Sequence, residues 1–157
     1  MRRTLEAQGH PWIGALVVER VPIAKAGGLP SEAFVSLTRG EGGWTLILGL
    51  GGLQAEALGA AIPPLRWPMA WVDPQSAYLE LEQHLLGKVW LGRLRGTHAL
   101  TTEGTLRLFL KRLWELASLA EEEGLDLLEM NPVALDPTGE PRPLDGVGRR
   151  REPKRAL

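Results

Sequence analysis

The chain contains no cysteine. This absence excludes a disulfide framework, a thiolate nucleophile and any zinc or iron–sulfur site with cysteine ligands, and it agrees with a cytoplasmic location. Positive charge is not in excess either, because 18 Lys and Arg residues stand against 19 Asp and Glu residues, for a formal net charge of -1. A protein that follows a nucleic-acid backbone needs a surplus of Lys and Arg. We therefore do not expect nucleic-acid binding as the main activity.

Long apolar runs are missing as well. No uninterrupted run approaches the roughly 20 apolar residues that a membrane helix needs, and no apolar segment follows residues 1–4 as it would in a secretory signal. The 157 residues are 44% hydrophobic and 24% charged, which is the composition of one globular domain. We expect a soluble protein with no membrane contact, in which a domain spans residues 1–148 and a solvated basic tail spans residues 149–157.

The hydrophobic patterning predicts a mixed arrangement of strands and helices. The predicted order is a buried strand, a hairpin, two helices and a second hairpin, with no internal repeat. The segments are a strand over 12–21, a hairpin of strands 32–39 and 44–48, a helix from Asp73-Pro74 to about residue 86, and a long helix from Thr101 or Thr102 to Gly124. We expect an α+β fold in which helices cover one side of a mixed sheet.

The second predicted hairpin carries the most informative residues. Its turn is the Asp-Pro-Thr-Gly sequence at 136–139, which favours a type I turn with Gly at the position that tolerates positive φ. If the turn begins at Asp136, counting outward pairs Asn131 with Asp145, and Glu129 lies on the same face as Asn131. Two carboxylates and an amide oxygen within about 5 Å would suit Mg²⁺. The alternative is that Asn131 and Asp145 merely end strands.

Three prolines bear on the register of this hairpin. Pro141 and Pro143 have no N–H group and share one parity with Asp145. That parity suits the non-hydrogen-bonded positions of an antiparallel ladder, where opposed side chains lie closest. Pro132 opposes the register, because it costs one ladder hydrogen bond.

Other polar and glycine residues are weaker indicators of a site. The glycine cluster at 49–52 permits close backbone approach and could hold an anion, but glycine-rich connections are common and no Gly-Lys-Ser or Gly-Lys-Thr follows. Arg93 and Arg95 could meet phosphate or a carboxylate, although a surface role is the default. The three histidines show no metal-like spacing and are expected to be structural or exposed: His10, His84 and His98.

In their order, these motifs resemble the C-terminal half of the ATP-grasp domain of NDP-forming acyl-CoA synthetases, the family of the ADP-forming acetate–CoA ligase β chain and the succinyl-CoA synthetase β chain. The resemblance covers nearly the whole sequence. Its segments are 17–21, 32–35, the Gly-Leu-Gly-Gly at 49–52 with Glu56, Arg95-Gly96, Glu-Met-Asn-Pro at 129–132 and Leu-Asp-Gly at 144–146.

The resemblance implies a role for each candidate site residue. Asn131 and Asp145 would hold the Mg²⁺ of a bound ATP or ADP, and Glu129 would face a phosphohistidine loop that a CoA-binding part contributes. The remaining positions would bind the nucleotide, with the first three meeting the adenine through their backbone: Glu19, Arg20, Val21, Glu32, Gly51 and Gly52.

The sequence also departs from the family. The first ATP-grasp subdomain, with its phosphate-binding lysine, would precede residue 1; the family's Asp-x-x-Phe-Gly-Pro turn is replaced at 39–44; and Arg93 stands where the family has Gly. None of the histidines lies in a phosphohistidine motif. We therefore expect a fragment that is active only with a partner chain. The alternatives are a non-catalytic or regulatory module that forms a homodimer or holds another protein, and a nucleic-acid accessory that acts through the arginine tail.

Overall fold

A single antiparallel sheet organises the computed structural model, which describes residues 20–52 and 58–151. The strands are β1 (Ala33–Gly40), β2 (Gly43–Leu50), β3 (Leu65–Pro68), β4 (Leu125–Leu135), β5 (Pro141–Pro143) and β6 (Gly146–Arg150). Their order is β3-β2-β1-β4-β5, and β6 continues on the same edge of β4 as β5. The helices are α1 (Pro74–Leu81), α2 (Leu85–Trp90) and α3 (Glu103–Glu122). The expected α+β fold, with helices on one side of a sheet, is confirmed.

The first hairpin forms where the alternating pattern predicts it. Val35 pairs with Leu48 and Leu37 with Leu46, and all four side chains are fully buried under the helices. Gly43 takes a φ of 99° at the turn, a conformation that favours glycine. The predicted strand over 12–21 lies outside the described residues except for its last two, which belong to no helix or strand.

Strand β3 is missing from the sequence prediction. It lies inside the proline-rich segment 62–68, for which the hydrophobic pattern predicts no strand. It pairs with the outer edge of β2, and proline is tolerated on an edge strand because that edge needs few N–H donors. Trp67 is buried at 1% exposure and donates from Nε1 to the Glu80 carboxylate at 2.9 Å, so β3 is anchored by its side chain.

The first predicted helix is two helices. Helix α1 begins as expected, because Asp73 accepts from the Ser76 N–H at 2.8 Å and Pro74 fills the first turn. It ends at Leu81 rather than near residue 86, and His84 caps α2 by accepting from the Leu86 N–H. Gly87 lies inside α2 rather than after a helix. Glycine is required there because a Cβ would lie 1.9 Å from the Leu81 carbonyl oxygen.

Helix α3 confirms the clearest helical prediction. Thr102 caps it by accepting from the Thr105 N–H at 3.1 Å, and Gly124 follows its end with a φ of 67°. Its buried face is the predicted one: Leu106, Phe109, Leu110, Leu113, Ala117 and Ala120. In the described ranges, no helix is long and apolar enough to cross a membrane.

The two faces of the sheet have different surroundings. The core face packs under the three helices and contains the buried side chains of β1 and β2. The opposite face, called the open face below, carries one cross-strand row: Arg66, Ile47, Ser36, Glu129 and Val147. Exposure increases from buried Ser36 to exposed Arg66 and Val147 at the two edges. The open face is therefore the side of the sheet on which a ligand or another domain can lie.

Candidate functional site

The second hairpin has the register that the turn predicts. Val133 pairs with Pro143 and Leu135 with Pro141. The same register, continued away from the turn, places Asn131 opposite Asp145. The Asn131 N–H donates to the Asp145 carbonyl oxygen at 3.2 Å, which makes these two residues direct neighbours across the strands. The sequence-predicted pairing is confirmed.

The turn is held by the Asp136 side chain. Its Oδ1 accepts from the backbone N–H groups of Thr138 at 2.9 Å and Glu140 at 3.1 Å, and its Oδ2 accepts from Arg142 Nε at 2.9 Å. The Thr138 hydroxyl and the Arg142 guanidinium hold the pKa of the Asp136 carboxyl well below its usual range. Because the ionised carboxylate makes all of these bonds, the turn fixes the register at neutral pH.

The strand is irregular at Asn131. The Asn131–Pro132 peptide is cis, and the β1–β4 register shifts so that Ala33 pairs with Val133 but Val35 with Met130. The expectation that Asn131 and Asp145 form a non-hydrogen-bonded pair is wrong, because their backbones are bonded at this irregularity. Pro132 costs its pair only one bond, since its carbonyl still accepts from the Leu144 N–H at 2.9 Å.

Two glycines carry the chain from β2 across the start of β1 to Asn131. The Gly51 N–H donates to the Glu32 carbonyl at 2.8 Å, and a Cβ on Gly51 would lie 2.4 Å from the Ala33 carbonyl carbon and oxygen. Gly52 has a φ of 64°, and its N–H donates to Asn131 Oδ1 at 3.4 Å. A Cβ on Gly52 would lie 1.9 Å from the Glu32 carboxylate. Only glycine allows this crossing, which brings Glu32, both glycines and Asn131 together.

The place where Glu32, Gly51, Gly52 and Asn131 meet is called the junction below. Two further acidic candidates, Asp145 and Glu129, lie beside it. Asp145 is exposed, and its Oδ1 accepts from the Gly146 N–H at 2.8 Å, so the carboxylate stays at the strand end. Glu129 is half-buried on the open face, two residues before Asn131, with Ser36 and Val147 as its cross-strand neighbours. The hairpin and the glycine crossing thus gather most of the predicted site at one region of β4.

Known structures give an independent comparison. No protein-family model and no curated protein matches the chain. The dinucleotide-forming acetyl-coenzyme A synthetase 1 of Ca. Korarchaeum cryptofilum, with coenzyme A and Mg-AMPPCP bound, matches with a TM-score of 0.61 and 21% identity over 80% of this chain and 55% of that one. Its apo form gives a TM-score of 0.59. A protein of Pyrococcus horikoshii gives a TM-score of 0.55 and 12% identity over 85% of this chain and 52% of its own.

The chain has the fold of an ATP-grasp subdomain. The ATP-grasp fold predicted from the ordered motifs is thereby confirmed, while identities of this size say nothing about activity. The chain spans about half the length of the solved chains that it matches.

The three candidate adenine contacts are Glu19, Arg20 and Val21. Glu19 is outside the described residues, as is Glu56 of the glycine-containing segment. Arg20 is exposed and Val21 is half-buried, and neither belongs to a strand or helix. The described part of this ATP-grasp subdomain therefore gives no geometry for an adenine-binding strand.

The two candidate arginines differ in their surroundings. Arg93 meets carboxylates, with Nη1 2.8 Å from Glu82 and Nη2 2.5 Å from Glu103, and so links the C-terminal end of α1 to the start of α3. Arg95 is exposed. The sequence left open whether these arginines meet phosphate or carboxylate, and Arg93 meets carboxylate.

Part of the expected basic tail is structured. Arg149 and Arg150 belong to β6, and Arg149 forms an ion pair with Asp126 at 2.7 Å. Arg151 donates to the Glu121 carboxylate at 2.6 Å. The start of the expected solvated tail is therefore a strand: Arg149 and Arg150 are exposed, as expected, but they pair with β4.

The two histidines in the described part of the chain belong to no cluster of potential metal ligands. His84 is half-buried, with Nε2 3.2 Å from the Pro63 carbonyl oxygen, and burial lowers the pKa of its imidazole. His98 is exposed, and His10 lies outside the described residues. The expectation that the histidines are structural or exposed is confirmed for His84 and His98.

The donor chemistry of the junction suits a cation that arrives with its own ligands. Within residues 20–52 and 58–151, no group of three or more His, Cys, Asp or Glu side chains is placed to hold a metal ion. The junction instead offers an amide oxygen on Asn131, which already accepts from the Gly52 N–H, and carboxylates on Asp145 and Glu32. Such a set can contribute one or two oxygens to Mg²⁺ while phosphates and water complete the octahedron.

One polar neighbour of the site escaped the sequence analysis. Ser36 is buried on the open face beside Glu129. The available signal was its place in β1, where positions 34, 36 and 38 alternate with the buried apolar residues.

Proposed function

We propose that this chain is the nucleotide-binding ATP-grasp half of an NDP-forming acyl-CoA synthetase system. It binds Mg-ATP or Mg-ADP on the open face, next to Asn131 and Asp145. A partner supplies the remaining groups that surround the nucleotide phosphates. The observation that carries the proposal is the junction in which Gly52, Asn131 and Asp145 meet within an ATP-grasp fold. The magnesium-bound nucleotide analogue in the structurally similar synthetase supports the choice of ligand.

In this proposal Asn131 and Asp145 are the magnesium ligands. Asn131 offers an amide oxygen from β4 and Asp145 a carboxylate from the link between β5 and β6, and their backbones are joined by the 3.2 Å hydrogen bond. The ion, when bound, would neutralise charge on the nucleotide phosphates. The Gly52 N–H donates to Asn131 Oδ1 at 3.4 Å and so helps to orient the amide, and the Glu32 carboxylate lies beside Gly52.

Glu129 has a separate role in the proposal. It lies on the open face at the same strand as Asn131, where an incoming phosphohistidine segment of a partner would meet it. The similar synthetase has such a segment, and in that protein it points towards the nucleotide-binding site. Glu129 would position that histidine through its carboxylate. Residues 19–21 remain the proposed contact to adenine.

A partner is part of the proposal for an electrostatic reason. Phosphoryl transfer is accelerated by cations and N–H donors that surround the phosphates. The junction supplies oxygens that can bind a cation, and its Gly52 N–H already donates to Asn131, so the cations and N–H donors around the phosphates must come from another segment or chain. The acyl-CoA site and the reactive histidine would come from a CoA-binding partner.

Calorimetric titration with Mg-ATP and Mg-ADP tests the proposal. The change is Asp145→Asn, with Asn131→Leu as a second variant and the exposed Glu123→Gln as a matched control on the surface. We expect each site variant to lose about tenfold or more in affinity when Mg²⁺ is present. With EDTA in place of Mg²⁺, the affinities of wild type and Asp145→Asn should converge, because only the metal contact is removed.

Two results would overturn the proposed function. One is a Mg²⁺-dependent affinity that Asp145→Asn and Asn131→Leu leave unchanged. The other is the absence of nucleotide binding both for the chain alone and for its mixture with a CoA-binding chain encoded beside it.

A further inference from the structure

The outward side of α3 carries a short stripe of unusual composition. Leu108 and Leu119 are exposed at 42% and 56%, although the burial of a leucine side chain stabilises a protein. Arg112 and Glu115 lie between them and are exposed as well. The spacing of these four residues is four, three and four, which is the spacing of a coiled-coil seam. Over the eleven residue steps from 108 to 119 a helix turns to within about 20° of its starting direction, so the stripe is straight.

The order of residues along this stripe is self-complementary. If a second copy of the stripe is laid alongside in the antiparallel direction, Leu108 faces Leu119 of the other copy at both ends. In the middle, Arg112 faces Glu115 of the other copy, and this ion pair occurs twice. In a dimer with a two-fold axis, if one residue contacts a second residue of the other copy, that second residue must also contact the first residue of the other copy. This stripe meets that condition.

We propose that two copies of this chain associate through antiparallel packing of their α3 helices, centred between residues 113 and 114. The two leucine pairs are the apolar ends of the contact, and the two Arg112–Glu115 pairs set its direction. A parallel arrangement in register would place Arg112 against Arg112 and Glu115 against Glu115, which like-charge repulsion disfavours.

Neighbouring charges leave the pairing possible. Within residues 20–52 and 58–151, Arg112 forms no ion pair. Glu115 is 3.7 Å from Lys111, but both are widely exposed, and exposed pairs of this kind contribute little. In the antiparallel arrangement Lys111 faces Leu116 of the other copy, where its aliphatic stem can cover the leucine.

A groove beside the stripe supplies further apolar contact. It lies between α3 and the second hairpin, has a volume of about 360 Å³ and is lined along one wall by Leu116 and Leu119. Glu140, Pro141 and Pro143 line the other wall. A leucine from the second copy can enter between these walls. The contact is small, so we expect dissociation constants on the order of tens of micromolar.

Sedimentation equilibrium over protein concentrations from about 1 to 200 μM tests the dimer. We expect Arg112→Glu, and separately Glu115→Arg, to weaken dimerisation about tenfold, since each places two like charges opposite each other. The double variant R112E/E115R should restore the wild-type dissociation constant, because both pairs are then reversed. The matched control is Leu79→Ser, which removes a leucine of 51% exposure on α1, outside the stripe.

The outcomes separate clearly because every substituted side chain is exposed, and circular dichroism verifies that each variant keeps its helix content. A wild-type chain that is monomeric at the highest concentration would overturn the inference. A dimer that neither single charge reversal weakens would overturn it as well. If both singles weaken the dimer but the double variant fails to recover, the antiparallel arrangement is wrong. The inference does not depend on nucleotide binding.

Discussion

Substituting Gly51 by alanine tests whether the candidate site is shaped by the glycine crossing. The new methyl group would lie 2.4 Å from both the carbonyl carbon and oxygen of Ala33, and 2.8 Å from the Phe34 nitrogen. All three atoms are backbone atoms of β1, which is paired on both sides. No side-chain rotation can therefore relieve the overlap, and the chain at Gly51 must move away from β1.

The magnitude follows from two losses. Overpacking against a fixed neighbour costs about 1–3 kcal/mol, and the displaced Gly51 N–H loses its 2.8 Å bond to the Glu32 carbonyl, worth about 1 kcal/mol. We therefore expect Gly51→Ala to lower the free energy of unfolding by about 2–4 kcal/mol. For a chain of this size that corresponds to a fall in melting temperature of about 5–15 °C.

Urea unfolding followed by circular dichroism measures this loss, with Gly42→Ala as the control. Gly42 lies in the turn of the first hairpin, a Cβ there meets nothing within 4 Å, and its φ is not positive. We expect the control to unfold within about 0.5 kcal/mol of wild type. If Gly51→Ala were equally neutral, the close crossing of β1 would be wrong, and with it the placement of Gly52 against Asn131.

Three further predictions concern titration and helix capping. Hydrogen bonds from Arg39 and then Arg151 lower the pKa of Glu121 from its ordinary value of 4.5 to about 2. The free energy of unfolding of the wild type should therefore fall as the pH drops from 4.5 towards 2. Glu121→Gln should flatten that part of a urea-unfolding pH profile, and an unchanged profile would contradict the contacts of Glu121 with the two arginines. Burial lowers the pKa of the His84 imidazole, so the unfolded chain takes up the proton first and stability should decline as the pH falls below about 6.5. His84→Asn, which can still cap α2, should lack this decline in thermal melts between about pH 7 and 5, and a parallel decline would refute the assignment. Thr102→Ala should cost α3 about 1 kcal/mol in urea unfolding and Thr102→Ser much less, whereas equal losses would speak against the cap.

Local chemistry explains which parts of the fold the sequence predicts. The register of the second hairpin follows from the turn at 136–139, since Asp136 organises the turn with bonds that span at most six residues. Helix α3 follows from its apolar period and the Thr102 cap. In both cases the determining contacts lie within a few residues of one another, so a pattern in the sequence can specify them.

Contacts between distant segments explain what the sequence leaves out. The bond from Gly52 to Asn131 joins residues 79 apart, and the one from Arg39 to Glu121 joins residues 82 apart. Strand β3 is short and exists because β2 offers it an edge. The irregularity of β4 at Asn131 likewise depends on β1, which lies far away in the sequence. Spacing alone predicts the pairing of Asn131 with Asp145, but not the glycine crossing that fixes Asn131 from the other side.

The proposed nucleotide site and the proposed dimer contact lie on opposite sides of the sheet, and this separation makes them independently testable. Glu129 projects from the open face, whereas α3 covers the core face and turns its stripe away from the sheet. A second copy on α3 therefore leaves the open face uncovered for a nucleotide and a CoA-binding partner. It follows that Arg112→Glu should dissociate the dimer without changing Mg-ATP affinity in the calorimetric titration. Asp145→Asn should do the reverse, and a variant that changed both properties would show that the two surfaces communicate through the sheet.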